Sequence, residues 1–117
     1  MSFFDLLNGL LTTLDVPYYE GQPEFSGEPP EAFISYSVYD VPKFFGCGEE
    51  LYTTYYVTVN IYVTGNDKAQ TADNINMALT ALLTENGFIR QSGSYGLTDD
   101  FPGYYHRTAE FNYSREI

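Results

Sequence analysis

The 117-residue sequence contains no tryptophan, one cysteine, one histidine and few basic residues. A single cysteine, Cys47, excludes an intrachain disulfide framework and a cysteine-based zinc site. No apolar run approaches the roughly 18 residues that a membrane-spanning helix needs. The apolar N-terminal stretch lacks a basic region before it, so we expect no secretory signal peptide. The 5 Lys+Arg against 16 Asp+Glu give a net charge of −11, which argues against binding to nucleic acid or to an anionic membrane.

The sequence is nevertheless that of a folded chain. Hydrophobic residues make up 44% and charged residues 18%, which is typical of a globular protein. The length predicts a single domain over residues 1–117. Aromatic residues reach 18%, with 12 tyrosines, more than a small core can hide. Because tyrosine combines an apolar ring with a polar tip, this content favours half-exposed sheet faces and interfaces.

Two segments have the spacing of amphipathic helices. In residues 2–14, leucines recur every three or four positions, Ser2 is placed to cap the helix, and Pro17 follows its end. Residues 67–86 place an apolar face opposite a polar one and end at Asn86-Gly87, a typical helix stop. That apolar face comprises Ala72, Ile75, Leu79, Leu82 and Leu83, whereas Asp73, Asn74 and Asn76 are expected away from it.

Four segments predict strands, at 32–39, 51–64, 88–95 and 104–114. The clearest is 51–64, where one face is apolar at 57, 59, 61 and 63 and the other alternates tyrosine and threonine. The last two strands are expected to form a hairpin. Loops are predicted over 20–31, which is rich in proline and glutamate, and over 40–50. Two helices can cover only one face of such a sheet, so the fold class is α+β: a two-layer sandwich with about four mainly antiparallel strands and both helices on one face.

We identify no catalytic, cofactor or metal site in the sequence, and we expect no enzyme. His106 lies in the middle of a strand on its polar face, where a solvated histidine is the expectation. Cys47 lies near Glu49 and Glu50, whose charges disfavour a reactive thiolate. The neighbouring carboxylates Glu49-Glu50 and Asp99-Asp100 lie in predicted loops, where solvation is the default.

The tyrosine-rich strand face and the long loops instead indicate a component of an assembly. We predict that Tyr52, Tyr56 and Tyr62 form a contact row on the face without helices. Phe44 and Phe45, in the predicted 40–50 loop, are expected to form a contact arm to a neighbouring subunit or another protein.

The layout resembles the small tail-terminator, or tail-completion, proteins of long-tailed bacteriophages and prophages, over nearly the whole chain. The likeness lies in diffuse helix and sheet patterns: the N-terminal leucine helix, Pro17–Tyr19, Phe33–Tyr36, Glu49–Leu51, Tyr55–Tyr62, Glu85–Phe88, Tyr104–Arg107 and Phe111. The resemblance implies a structural virion protein that forms a ring, commonly of six subunits, at the head-proximal end of the tail tube. Such a ring ends tube growth and presents a joining surface to the head.

The resemblance also implies the partners: other copies of the chain, the tail tube protein and the head connector. DNA would pass through the ring without specific binding, and an acidic lining suits that passage because it does not attract phosphates. The expected location is the virion, at the tail or neck, after assembly in the host cytoplasm. Two alternatives remain open: another neck component, such as a head-closure or minor capsid protein, and a small-ligand or peptide-binding α+β module.

Overall fold

The computed structural model describes residues 2–45, 49–91, 96–97 and 103–116, with the side chains at 43–45, 49–51, 96, 97 and 116 excepted. Its elements, in chain order, are α1 (Phe3–Thr12), β1 (Tyr18–Glu20), β2 (Ala32–Phe45), β3 (Glu49–Val63), α2 (Lys68–Glu85), β4 (Ile89–Arg90), β5 (Gly96–Leu97) and β6 (Tyr105–Glu116).

One mixed sheet contains all six described strands, in the order β1-β2-β3-β6-β4, with β5 also paired to β6. Only β1 and β2 are parallel; the other pairs are antiparallel. The predicted α+β class is therefore confirmed. Three long strands correspond to predicted ones, and the two-residue β4 lies within the predicted 88–95 strand. β5 lies just beyond that segment, and β1 was not predicted.

Both helices pack on the face of β3 that carries Val57, Val59, Ile61 and Val63, as the alternation predicts. The core lies between them and includes Phe3, Leu7 and Leu11 of α1, Ala72, Leu79 and Leu83 of α2, and Ile34, Tyr36, Ala109 and Phe111 of the sheet. Tyr36 also ties α1 to β2, because its hydroxyl donates to the side-chain oxygen of Asn8 at 2.6 Å.

The helix ends follow from local chemistry. At the start of α1, the Ser2 hydroxyl accepts a hydrogen bond from the Asp5 amide at 3.0 Å, as its capping position predicts. At the end of α2, Gly87 has φ 92°, and the Phe88 amide donates back to the Leu83 carbonyl at 3.0 Å. This arrangement satisfies the last carbonyls of the helix and turns Phe88 into the core beside Leu83.

The predicted loop over 40–50 is wrong. β2 continues to Phe45 and β3 begins at Glu49, with a register shift between Lys43 and Phe44. Pro42 does not interrupt the ladder because its missing N–H falls on the outer side of β2. The Ile34 amide shows this direction, since it donates outward to Pro17, and every second residue points the same way. Paired backbone groups therefore outweigh the local turn signals.

Asn76 also departs from the sequence expectation, because it is 7% exposed on the buried side of α2. Arg90 of β4 reaches under the helix and donates to the Asn76 side-chain oxygen at 3.4 Å and to the Thr80 hydroxyl at 2.6 Å. Its guanidinium also lies 5.4 Å from the centre of the Phe111 ring. A partner from the strand that follows the helix thus satisfies the buried amide oxygen.

The two faces of β3 can be separated by substitution. Val59 is fully buried, so Val59→Asp places an uncompensated carboxylate in the core and should cost roughly 3 kcal/mol or more. Thr58→Asp introduces the same group on the other face, where Glu110 is the cross-strand neighbour, and should cost at most about 1 kcal/mol. Urea unfolding followed by circular dichroism measures both, and equal losses would contradict the assignment of the faces.

Candidate interaction face of the sheet

The sheet face opposite the helices is built from the alternate positions of β2, β3 and β6, aligned in cross-strand rows. From one end to the other these rows are Phe33–Tyr62–His106, Ser35–Asn60–Thr108, Ser37–Thr58–Glu110, Tyr39–Tyr56–Asn112 and Val41–Thr54–Ser114. The first row is aromatic and the later rows are mainly polar and more exposed, although Thr54 in the last row is only 6% exposed. The two ends of the face therefore need separate descriptions.

Residues 21–31, here called the strap, cover the first end. Hydrogen bonds at both ends fasten the strap, among them Ser35 Oγ to the Gly21 carbonyl at 2.7 Å, Tyr104 OH to the Pro30 carbonyl at 2.6 Å, and the Thr64 amide to the Glu31 carbonyl at 2.8 Å. Its Phe25 ring packs edge-on against Phe33, with 5.1 Å between ring centres. The segment predicted as a loop therefore shields part of the sheet from water.

Under the strap, Phe33, Tyr62 and Tyr104 form a second buried cluster. Tyr62 is stacked between Phe33, at 4.9 Å between ring centres, and His106, at 4.5 Å. Because Tyr62 is only 4% exposed, the predicted contact row Tyr52, Tyr56, Tyr62 must be corrected: Tyr62 offers almost no surface to a partner. Tyr52 and Tyr56 are half-buried and remain on the uncovered part of the face.

The expectation of a solvated His106 is also wrong, since the residue is 8% exposed. Its Nε2 lies 2.7 Å from the Asn60 side-chain oxygen, which can only accept, so Nε2 carries the proton. The Thr108 hydroxyl donates to the same oxygen at 3.1 Å. With Nε2–H committed to Asn60, the imidazole is not placed to take a proton from Thr108, and this arrangement is a structural one.

The other end of the face is uncovered within the described part of the chain. This open patch consists of Ser37, Tyr39, Tyr56, Thr58, Ile89, Glu110 and Asn112. Tyr39 and Ile89 are each 62% exposed, and the Tyr39 and Tyr56 rings stack at 4.9 Å with 15° between their planes. Because Tyr39, Tyr56 and Ile89 lie in one cross-strand row with Asn112, they form a contiguous patch, which makes this end of the face the candidate interaction surface.

A pocket of about 250 Å³ lies within the open patch. Its side-chain lining combines the two stacked tyrosines with Thr58, Gln91 and Glu110. A larger, shallower hollow of about 490 Å³ lies beside the end of α1 and β1, lined by Thr12 and residues 15–19. Among its described lining residues Asp15 alone carries a carboxylate, and the Thr12 and Tyr18 hydroxyls are hydrogen-bonded to each other at 2.7 Å.

Several sequence-predicted positions lie outside the described residues: Cys47, Asp99 and Asp100, together with the side chains of Phe44, Phe45, Glu49 and Glu50. Within the described residues, no three histidine, cysteine, aspartate or glutamate side chains come together as a metal site. In the same part of the chain, no helix has both the length and the hydropathy required to cross a membrane. Comparison of the sequence with protein-family models and with curated proteins finds no match.

The residues that sequence reasoning missed are Tyr39, Ile89 and Glu110. A signal for Tyr39 existed, because the alternation in 32–39 places it with Ser35 and Ser37 on the polar side. Ile89 and Glu110 gave none, since their place in the patch depends on β4 and β6 pairing beside β3. The candidate site is therefore a face assembled by pairing rather than a motif.

Because the Tyr104 hydroxyl fastens the strap, we expect the stability of the fold to depend on pH. Burial, followed by the charges of Glu28 and Glu31, raises the pKa of Tyr104 above its ordinary value of 10.0. Because Tyr104 ionises at a higher pH in the folded state than in the unfolded state, its contribution to the free energy of unfolding is complete below pH 10. That contribution is lost as the pH rises through the folded-state pKa. Between pH 9 and pH 11, the wild type should therefore lose more stability than Tyr104→Phe, as measured by urea midpoints.

The matched control is Tyr39→Phe, which makes the same chemical change on the exposed surface. It should follow the wild type over the whole pH range. Equal losses in the wild type and in Tyr104→Phe would show that ionisation of Tyr104 does not weaken the fold.

Proposed function

We propose that this chain is a structural protein of a long-tailed phage, forming a ring of six subunits at the head-proximal end of the tail tube. In this role it ends tube growth and provides the surface that joins the head. The observation that carries the proposal is the open patch, an aromatic and polar area on a sheet whose opposite face is fully used by the core. The resemblance in layout to tail-terminator proteins supplies the biological setting.

The contrast between the two ends of the sheet face supports an interaction role. The strap buries the Phe33, Tyr62 and Tyr104 rings, so the chain does cover aromatic side chains on this face. Tyr39 is left 62% exposed a few residues further along β2. Tyrosine is enriched at protein interfaces because a rigid ring gives large contact area at low entropic cost. A second copy or a neighbouring tail protein would bury the patch.

The charge supports a place on a DNA path. With a net charge of −11, a ring of several copies would carry a strongly negative field. DNA passing through such a ring would meet few basic groups that could neutralise its phosphates and hold it. The proposed partners are therefore proteins: other copies, the tail tube protein and the head connector.

One alternative also has a specific observation in its favour. The pocket of about 250 Å³ in the open patch would suit a small-ligand or peptide-binding module. The two functions differ in the mass of the protein in solution, since the module can act as a monomer and the ring cannot. Another neck component would also assemble, and its position along the tail would distinguish it.

Ring formation should depend on salt. Each subunit carries −11, so repulsion between subunits opposes the free ring at low ionic strength and weakens as salt or Mg²⁺ screens it. Sedimentation velocity at about 20 mM and 500 mM NaCl, with and without Mg²⁺, should show a shift from monomer to a discrete ring. A monomer under every condition, together with absence of the protein from purified virions, would contradict the proposal.

The tip of the β2–β3 hairpin provides a second test of assembly. Phe44→Ser and Phe45→Ser are made separately, and melting temperature and ring mass are measured in parallel. If the tip contacts a neighbour, at least one variant should lose assembly at nearly unchanged melting temperature, because burial of a phenylalanine contributes about 1.5–3 kcal/mol. If both variants lose stability and assembly together, the two rings belong to the fold and not to a contact.

A further inference from the structure

We propose that the pocket in the open patch receives the guanidinium group of an arginine presented by a basic partner protein. The pocket has a volume of about 250 Å³ and is lined by Tyr39, Tyr56, Thr58, Gln91 and Glu110, together with Val57 and Phe111 of the core. It thus places aromatic rings, a carboxylate and neutral acceptors around one small space. Each of these groups has a part in recognising a planar cation.

The tyrosines provide the stacking surface. The Tyr39 and Tyr56 ring centres are 4.9 Å apart with nearly parallel planes, which matches the spacing of neighbouring strands. Tyr39 therefore covers one side of Tyr56, and β6, where Asn112 is the cross-strand neighbour, lies on the other side. A guanidinium group stacks well on such a ring because it is planar and because the face of the ring is electron-rich.

Glu110 provides the charge. It lies on β6 opposite Thr58, so it is diagonal to Tyr56 across the β3–β6 pair, a distance that long side chains can bridge. Glu110 is exposed and makes no ion pair within the described residues. A guanidinium on Tyr56 could therefore donate to the Glu110 carboxylate, while the Thr58 hydroxyl and the Gln91 amide oxygen accept its remaining N–H groups.

The overall charge favours a different protein over a second copy as the source of the arginine. The chain has only 5 basic residues against 16 acidic ones. Arg90 lies under the Phe111 ring and bonds Thr80, and Arg107 pairs with Asp73 at 3.3 Å, so both are engaged on the helix-covered face. A basic partner would also be attracted by the net charge of −11.

The inference rests on the proposed function only in naming the partner as a tail or neck protein. The pocket itself is tested with a small probe on the monomer, so failure of ring formation would not affect the result. The probe is methylguanidinium chloride, titrated into ¹⁵N-labelled protein and followed by amide chemical shifts. NaCl and methylammonium chloride at equal ionic strength are the reference titrations.

The expected result is a saturable response at about 10–100 mM, centred on Tyr56, Thr58, Gln91 and Glu110 and stronger than with methylammonium. Glu110→Gln and Tyr56→Leu should each weaken the apparent affinity about threefold or more. Glu85→Gln makes the same charge change on an exposed residue of α2 outside the pocket, so it should bind as the wild type does.

Three results would overturn the proposal. The first is the absence of a localised response to methylguanidinium in the folded wild type. The second is an equal response to methylammonium, which would remove the case for arginine. The third is loss of self-association in Glu110→Gln at unchanged melting temperature, which would make a second copy the occupant.

Discussion

The central position of β3 is the constraint on which the rest of the structure depends. It pairs with β2 on one side and with β6 on the other along most of its length. Because paired residues point to the same face of the sheet, the face of each β3 side chain also fixes the face of its partners in β2 and β6. The face with Val57, Val59 and Ile61 becomes the floor of the core, and both helices must lie there to bury it. Every other side chain of the three long strands is then directed to the opposite face, whatever its polarity.

That opposite face is divided by the strap. Under the strap, the rings of Phe33, Tyr62 and His106 form a buried stack. Beyond the strap, Tyr39 and Tyr56 stack in the same manner but remain in contact with water. The same aromatic chemistry is therefore structural at one end and available for binding at the other. Placing the binding area on paired strands rather than on a loop also fixes its geometry, as a site for a specific partner requires.

The sequence was most informative where a local period decides the outcome. Both helices, the Ser2 cap and the two faces of β3 could be predicted, because each depends on spacing within one segment. Tyr62, His106 and Asn76 could not be placed correctly, since the strap and Arg90 that cover or partner them belong to other segments of the chain. The 40–50 region shows the same limit: turn signals are local, whereas the pairing that extends β2 to Phe45 is not.

Hydroxyl-radical footprinting of the free monomer and of the protein assembled with its partners in the tail tests most directly whether the open patch is the interaction face. Tyr39 and Ile89 report on the patch, and Met77, which is 63% exposed on α2, reports on the helix layer. The three side chains are similarly exposed, so each should react readily in the monomer. We predict that assembly protects Tyr39 and Ile89 and leaves Met77 reactive. Protection of Met77 with unchanged labelling of Tyr39 and Ile89 would contradict this assignment of the faces.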